Sequence, residues 1–192
     1  MINFFKYGIN KCLPGLGLIV FLGSCANQTN TATEPGHEAA AGTKQSQIDA
    51  LFLHDAVQID LFEIQMGQLA QQKSTTEHIQ ELGKLMENEH IKSQEEVRTL
   101  AGVKSIHLPD ALSDAGKEDY SRMKARSGRD FDKEYCEMLI QGHNKAIAVF
   151  EKAASECTDK DIKMWAMNSL PKLRAHLDHA NSCKEKALNS NQ

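Results

Sequence analysis

Apolar residues recur at helical spacing in four long stretches separated by polar punctuation. From Ser46, the residues Ile48, Phe52, Ile59, Phe62, Met66 and Leu69 follow one another at helical intervals, with no Gly or Pro before Gly67. That is the pattern of one apolar helix face. Ser74-Thr75-Thr76-Glu77 then interrupts it. Its capping-box spacing would let Ser74 and Glu77 satisfy free amides at a new helix start. A second helix carries Ile79, Leu82, Met86, Val97 and Leu100 and ends near Gly102. A third runs from about Phe131 to Cys157, with Tyr135, Leu139, Ile147 and Phe150 on one stripe. Thr158-Asp159-Lys160-Asp161 supplies cap residues for a fourth, which carries Ile162, Ala166, Leu173, Leu177 and Ala180. Pro171 is predicted to kink that helix. The longest connection, Val103 to Gly128, holds Pro109 and a short helix around Lys117 to Arg126. Two tight turns and one long middle connection predict an all-α fold over residues 46–192, an up-down four-helix bundle of two helical hairpins.

The residues before this domain read differently. Lys6 and Lys11 precede an apolar run, Leu13 to Leu22, broken by Pro14, Gly15 and Gly17 and too short to span a bilayer as a permanent helix. This is the pattern of a secretory signal. Leu22-Gly23-Ser24-Cys25 resembles the bacterial lipoprotein cleavage box. The resemblance implies a signal peptide at 1–24, cleavage before Cys25 and lipid on Cys25. It places the protein in the cell envelope, on the periplasmic side or at the outer membrane, with the membrane as its partner through the anchor. Residues 25–45, rich in Asn, Thr, Ala and Gly, read as a flexible tether with a reach on the order of 25 Å.

Composition narrows the function classes. The chain has 192 residues, 41% hydrophobic and 25% charged, with a formal charge of −4 and no block of five like charges, so it lacks the basic stripe of a nucleic-acid binder. It has no Gly-rich phosphate loop, nucleophile elbow or Cys-x-x-Cys-His haem motif. No residue pattern identifies a protein partner.

The informative positions are polar residues on the apolar stripes. Glu63 lies four after Ile59, His90 four after Met86, His143 four after Leu139 and His176 three after Leu173. All four stand about 13 to 18 positions from their hairpin turns, roughly 20 to 26 Å along the axes. With both turns at one end, a carboxylate and three imidazoles would converge in one layer. A single buried His is commonly satisfied by hydrogen bonds, but unpaired buried carboxylate and imidazole groups are costly to desolvate. A divalent transition metal would satisfy all four, and the ligand set suits zinc, copper, nickel or iron.

Glu87-x-x-His90 with Glu63 resembles the first half of a ferritin-like carboxylate site, making Glu87 a reserve ligand. The second half departs from it, with His143 in place of a bridging Glu and Leu173 in place of the second Glu. A closer resemblance is to the ferritin-like predicted outer-membrane proteins, a bacterial family without an assigned function. It rests on Glu63 with Leu69-Ala70, Met86 with His90, Leu108-Pro109, Phe131-Asp132-x-x-Tyr135, His143, and Leu170-Pro171 with His176-Leu177. The resemblance implies an exported four-helix bundle and supplies no reaction. Three functions are therefore open: metal binding, a structural or partner-binding role with a hydrogen-bonded polar core, or a metal-dependent oxidase or hydrolase.

Cys136 lies seven before His143 and Cys183 seven after His176, so the two share a level. They are expected either to form a disulfide between the third and fourth helices or to remain buried thiols.

Overall fold

Each apolar stripe forms a helix, and so does the short middle segment. The computed structural model describes residues 44–189, which form an all-helical bundle of five helices without a strand among the described residues. The helices are α1 (Lys44–Lys73), α2 (Glu77–Val103), α3 (Asp114–Lys124), α4 (Gly128–Glu156) and α5 (Lys160–Asn189). The expected signal peptide at 1–24, lipidated Cys25 and tether through residue 43 lie outside the described residues. The last two tether positions, Lys44 and Gln45, are already helical. No helix of the described residues is long and apolar enough to cross a membrane.

α1 packs along α2, and α4 along α5. Where α1 crosses α2, a Cβ on Gly67 would stand 2.5 Å from the Gly83 carbonyl oxygen, and one on Gly83 would stand 2.7 Å from that of Gly67. The two backbones are in contact there, which only glycine permits. α1 also packs against α3 and α4, and five consecutive residues, Ala56 to Asp60, are buried. A helix covered on several sides must bury polar positions as well, and each of these needs a partner. Asp49 accepts from the Thr158 and Asp159 amides at 3.1 and 3.2 Å, fixing the α4–α5 turn. Gln58 donates to the Ala111 carbonyl at 2.9 Å and accepts from the Ser113 amide at 2.8 Å, fixing the connection before α3.

The helix starts partly depart from expectation. Thr76, not Ser74, is the N-cap of α2, and its side chain makes no capping bond. Its hydroxyl instead donates to Asp132 Oδ2 at 2.6 Å, while Ser74 Oγ accepts from the Thr76 amide at 3.0 Å. Asp159 does cap α5, accepting from the Asp161 and Ile162 amides at 3.0 and 3.1 Å. α5 contains Pro171 within its span.

Two apolar clusters fill the interior. One gathers Phe62, Met66, Ile79, Met86, Phe131, Tyr135 and Leu139; the other gathers Phe52, Val57, Val97, Phe150, Ile162 and Leu173. Burying each such side chain contributes about 1.5–3 kcal/mol. Between the clusters lies a polar layer.

Candidate metal centre

Asp60 and Glu63 of α1, His90 of α2, His143 of α4 and His176 of α5 are all buried, none more than 4% exposed. The imidazoles form a triangle with ring centroids 5.3 Å apart for His90–His176 and His143–His176, and 5.8 Å for His90–His143. One ring nitrogen from each lies within 4.8 Å of the other two. The His143 Nε2 to His176 Nδ1 separation is 3.3 Å. Two nitrogens each about 2.0–2.1 Å from a tetrahedral ion stand about 3.4 Å apart, so this edge already has the spacing of a shared ion.

Hydrogen bonds fix which nitrogens face inward. His90 Nδ1 donates to Asp60 Oδ1 at 2.8 Å, which turns Nε2 into the layer, where it is buried without a partner. This carboxylate–imidazole pairing is the arrangement that orients metal-ligating histidines. His143 Nδ1 donates to the Leu139 carbonyl at 3.0 Å, leaving Nε2 as its lone-pair nitrogen toward His176.

Electrostatics divides the three rings. Burial pushes His143 down to about 3, with the neighbouring His90 acting the same way. Burial, His90 and His143 push His176 down to about 2. Burial also opposes charge on His90, but the hydrogen bond and charge of Asp60, aided by Glu63, outweigh it and raise its pKa. Burial likewise raises Asp60 against the pull of His90. Glu63 is pushed up to about 7, mainly by burial.

The structure thus brings together three of the four expected ligands. Glu63 reaches the layer, but its Oε1 lies 3.9 Å from His143 Nδ1, the nitrogen already bonded to Leu139, and its Oε2 has no partner. Glu87 does not join the layer. Its two oxygens accept from Gln68 and Gln71 of α1 at 2.8 and 2.7 Å, which turns it across the helix contact. Leu173, at the position of the missing second Glu, belongs to an apolar cluster. Asp60 is the member of the polar layer that spacing does not single out; the available signal is its place one turn before Glu63 on α1. Cys136 and Cys183 are buried free thiols, so the disulfide alternative is not realised in this structure.

Fold and layer together define an all-helical bundle with a buried histidine cluster. A family model described as a domain of unknown function (DUF4142) matches residues 34–183, and the chain belongs to this family. No curated protein and no solved structure matches it.

Proposed function

We propose that this protein binds one divalent transition metal through His90, His143 and His176. The observation that carries this reading is the unpartnered, fully buried Nε2 of His90, held by Asp60 so that it faces two further imidazoles. A buried polar atom without a partner costs about 1–3 kcal/mol, and a cation among three lone pairs would remove that penalty. Neutral imidazoles suit zinc, copper, nickel or iron. Glu63 is the candidate fourth group, joining if its carboxylate turns from the Nδ1 side of His143.

In this proposal the four long helices form an up-down, ferritin-like bundle. Lipid on Cys25 would anchor it to the envelope membrane, on the periplasmic side or at the outer membrane, with residues 26–43 as spacer. Binding rather than catalysis is proposed.

The test is zinc titration of untagged, metal-stripped protein against a chromophoric chelator, with cobalt as a spectroscopic substitute. One ion per chain, with a tetrahedral cobalt spectrum lost in His90→Ala, supports the proposal. Failure to compete with the chelator, together with a His90→Ala variant that folds normally, overturns it. That result would leave the His143–His176 contact as a hydrogen bond in a structural polar core.

A further inference from the structure

The metal reading leaves a pair of thiols unused. Cys136 on α4 and Cys183 on α5 sit in the same buried cluster, each the largest electrostatic influence on the other's thiol, and seven residues from His143 and His176 respectively. Seven residues are about 10 Å of helix, which sets the pair apart from the imidazole layer. The two sulfurs are unequally placed. Cys136 is wholly buried, whereas Cys183 is 5% exposed and lines a cleft of about 240 Å³ between α2 and α5, together with His78, His179 and Lys186. The neighbouring Cys136 holds the Cys183 thiol below its usual range, against burial and with help from Lys186, while Cys136 is correspondingly raised. Cys157 is also buried, but beside Asp49 at the other end of α4.

We propose that Cys136 and Cys183 are a dithiol–disulfide pair joining α4 to α5, with Cys183 the sulfur that meets a low-molecular-weight disulfide entering the α2–α5 cleft. In the first step the Cys183 thiolate attacks one sulfur of the incoming disulfide. A mixed disulfide forms and one thiolate leaves, taking up the proton that Cys183 released. In the second step the Cys136 sulfur attacks Cys183 Sγ, the mixed disulfide breaks, and the second thiolate leaves with the Cys136 proton. The protein loses two electrons and two protons, and the disulfide is reduced to two thiols. Access selects Cys183 as the attacking group, because it lines the cleft while Cys136 is wholly buried.

The test uses the full reduced chain with bis(2-hydroxyethyl) disulfide, followed by thiol blocking under denaturing conditions and peptide mass mapping. The peptides carrying Cys12 and Cys25 are read separately. The expected result is loss of two blockable thiols and one cross-linked peptide pair carrying Cys136 and Cys183, with Cys157 still blockable. Cys136→Ser should trap the mixed disulfide at Cys183, and Cys183→Ser should leave Cys136 unreacted. The wild-type map stands even if a variant fails to fold. Retention of both thiols, a lasting adduct on Cys183 in the wild type, or oxidation of Cys157 first would each overturn the proposal. The readout requires no metal, so its failure is separate from failure of the metal reading.

Discussion

The two hairpins deliver histidines to one level in opposite electrostatic settings. The α1–α2 hairpin delivers His90 hydrogen-bonded to the buried carboxylate of Asp60. The α4–α5 hairpin delivers His143 and His176, of which His143 donates to a backbone carbonyl. Burial acts against the charged imidazolium in all three. Asp60 reverses its effect on His90, whereas His143 and His176 fall to about 3 and about 2. One hairpin therefore contributes an oriented, polarised ring and the other two neutral lone-pair donors. Burial alone does not decide the state of a core histidine; the partner on the adjacent helix does.

The largest expected effect comes from deleting a donor of the second hairpin. His143→Ala should weaken zinc binding by more than about 100-fold in a chelator competition, since loss of an outer partner alone weakens binding about 10- to 100-fold. Asp60→Asn removes the outer partner of the first hairpin. It should weaken binding by about 10- to 100-fold while the remaining nitrogens stay in place. Equal losses in the two variants would break the comparison, because Asp60 would then be acting as a ligand.

Helix positions and the level of the layer were legible because both follow from periodicity and from the fixed rise of antiparallel helices. Glu63, His90, His143 and His176 are all buried at that level for this reason. What spacing could not supply was rotation about the helix axis and competition for hydrogen bonds. α1 is covered by three other helices, so its apolar stripe does not reveal which polar residues face inward, Asp60 among them. Glu87 has the right offset from His90, yet two glutamine amides on α1 satisfy it. The Ser74 hydroxyl was taken by the nearer Thr76 amide.

The hairpins also differ in how closely their small residues are packed. A methyl group on Gly83 meets the Gly67 carbonyl oxygen at 2.7 Å and the Ala70 Cβ at 2.8 Å, which forces α1 and α2 apart. Gly83→Ala should destabilise the fold by about 1–3 kcal/mol in urea unfolding, the usual range for overpacking. On α4, a Cβ at Gly142 meets the Glu63 Oε1 at 3.3 Å, at the end of a side chain that can move. Gly142→Ala should change stability by less than about 1 kcal/mol, with replacement of a helical glycine offsetting the contact. Equal destabilisation would show that the Glu63 carboxylate is held as firmly as a backbone.

The pH dependence of the metal-free protein separates the hairpins in the same way, and there the second hairpin should dominate. Unfolded, His143 and His176 bind protons below their ordinary 6.5; folded, they stay neutral down to about 3 and about 2. Their contribution is fully present above pH 6.5 and is lost as pH falls. Glu63 works the other way. Its folded pKa of about 7 exceeds its ordinary 4.5, so the folded state keeps a proton that the unfolded state has released. Between pH 4.5 and 6.5 the unfolded chain holds two extra imidazole protons and the folded chain one extra carboxyl proton. The net difference of one proton gives a stability that rises with pH by at most about 1.4 kcal/mol per unit. His90, protonated in both states there, is silent, and Asp60 with its raised pKa lowers the slope at the acid end. Urea midpoints measured across this window should fall steadily on acidification, and the fall should reverse in a His143→Gln, His176→Gln double variant because Glu63 then acts alone. A flat wild-type profile would mean that one of the two α4–α5 imidazoles takes up a proton in the folded state, a reversed one that both do, and in either case the contrast between the hairpins would fail.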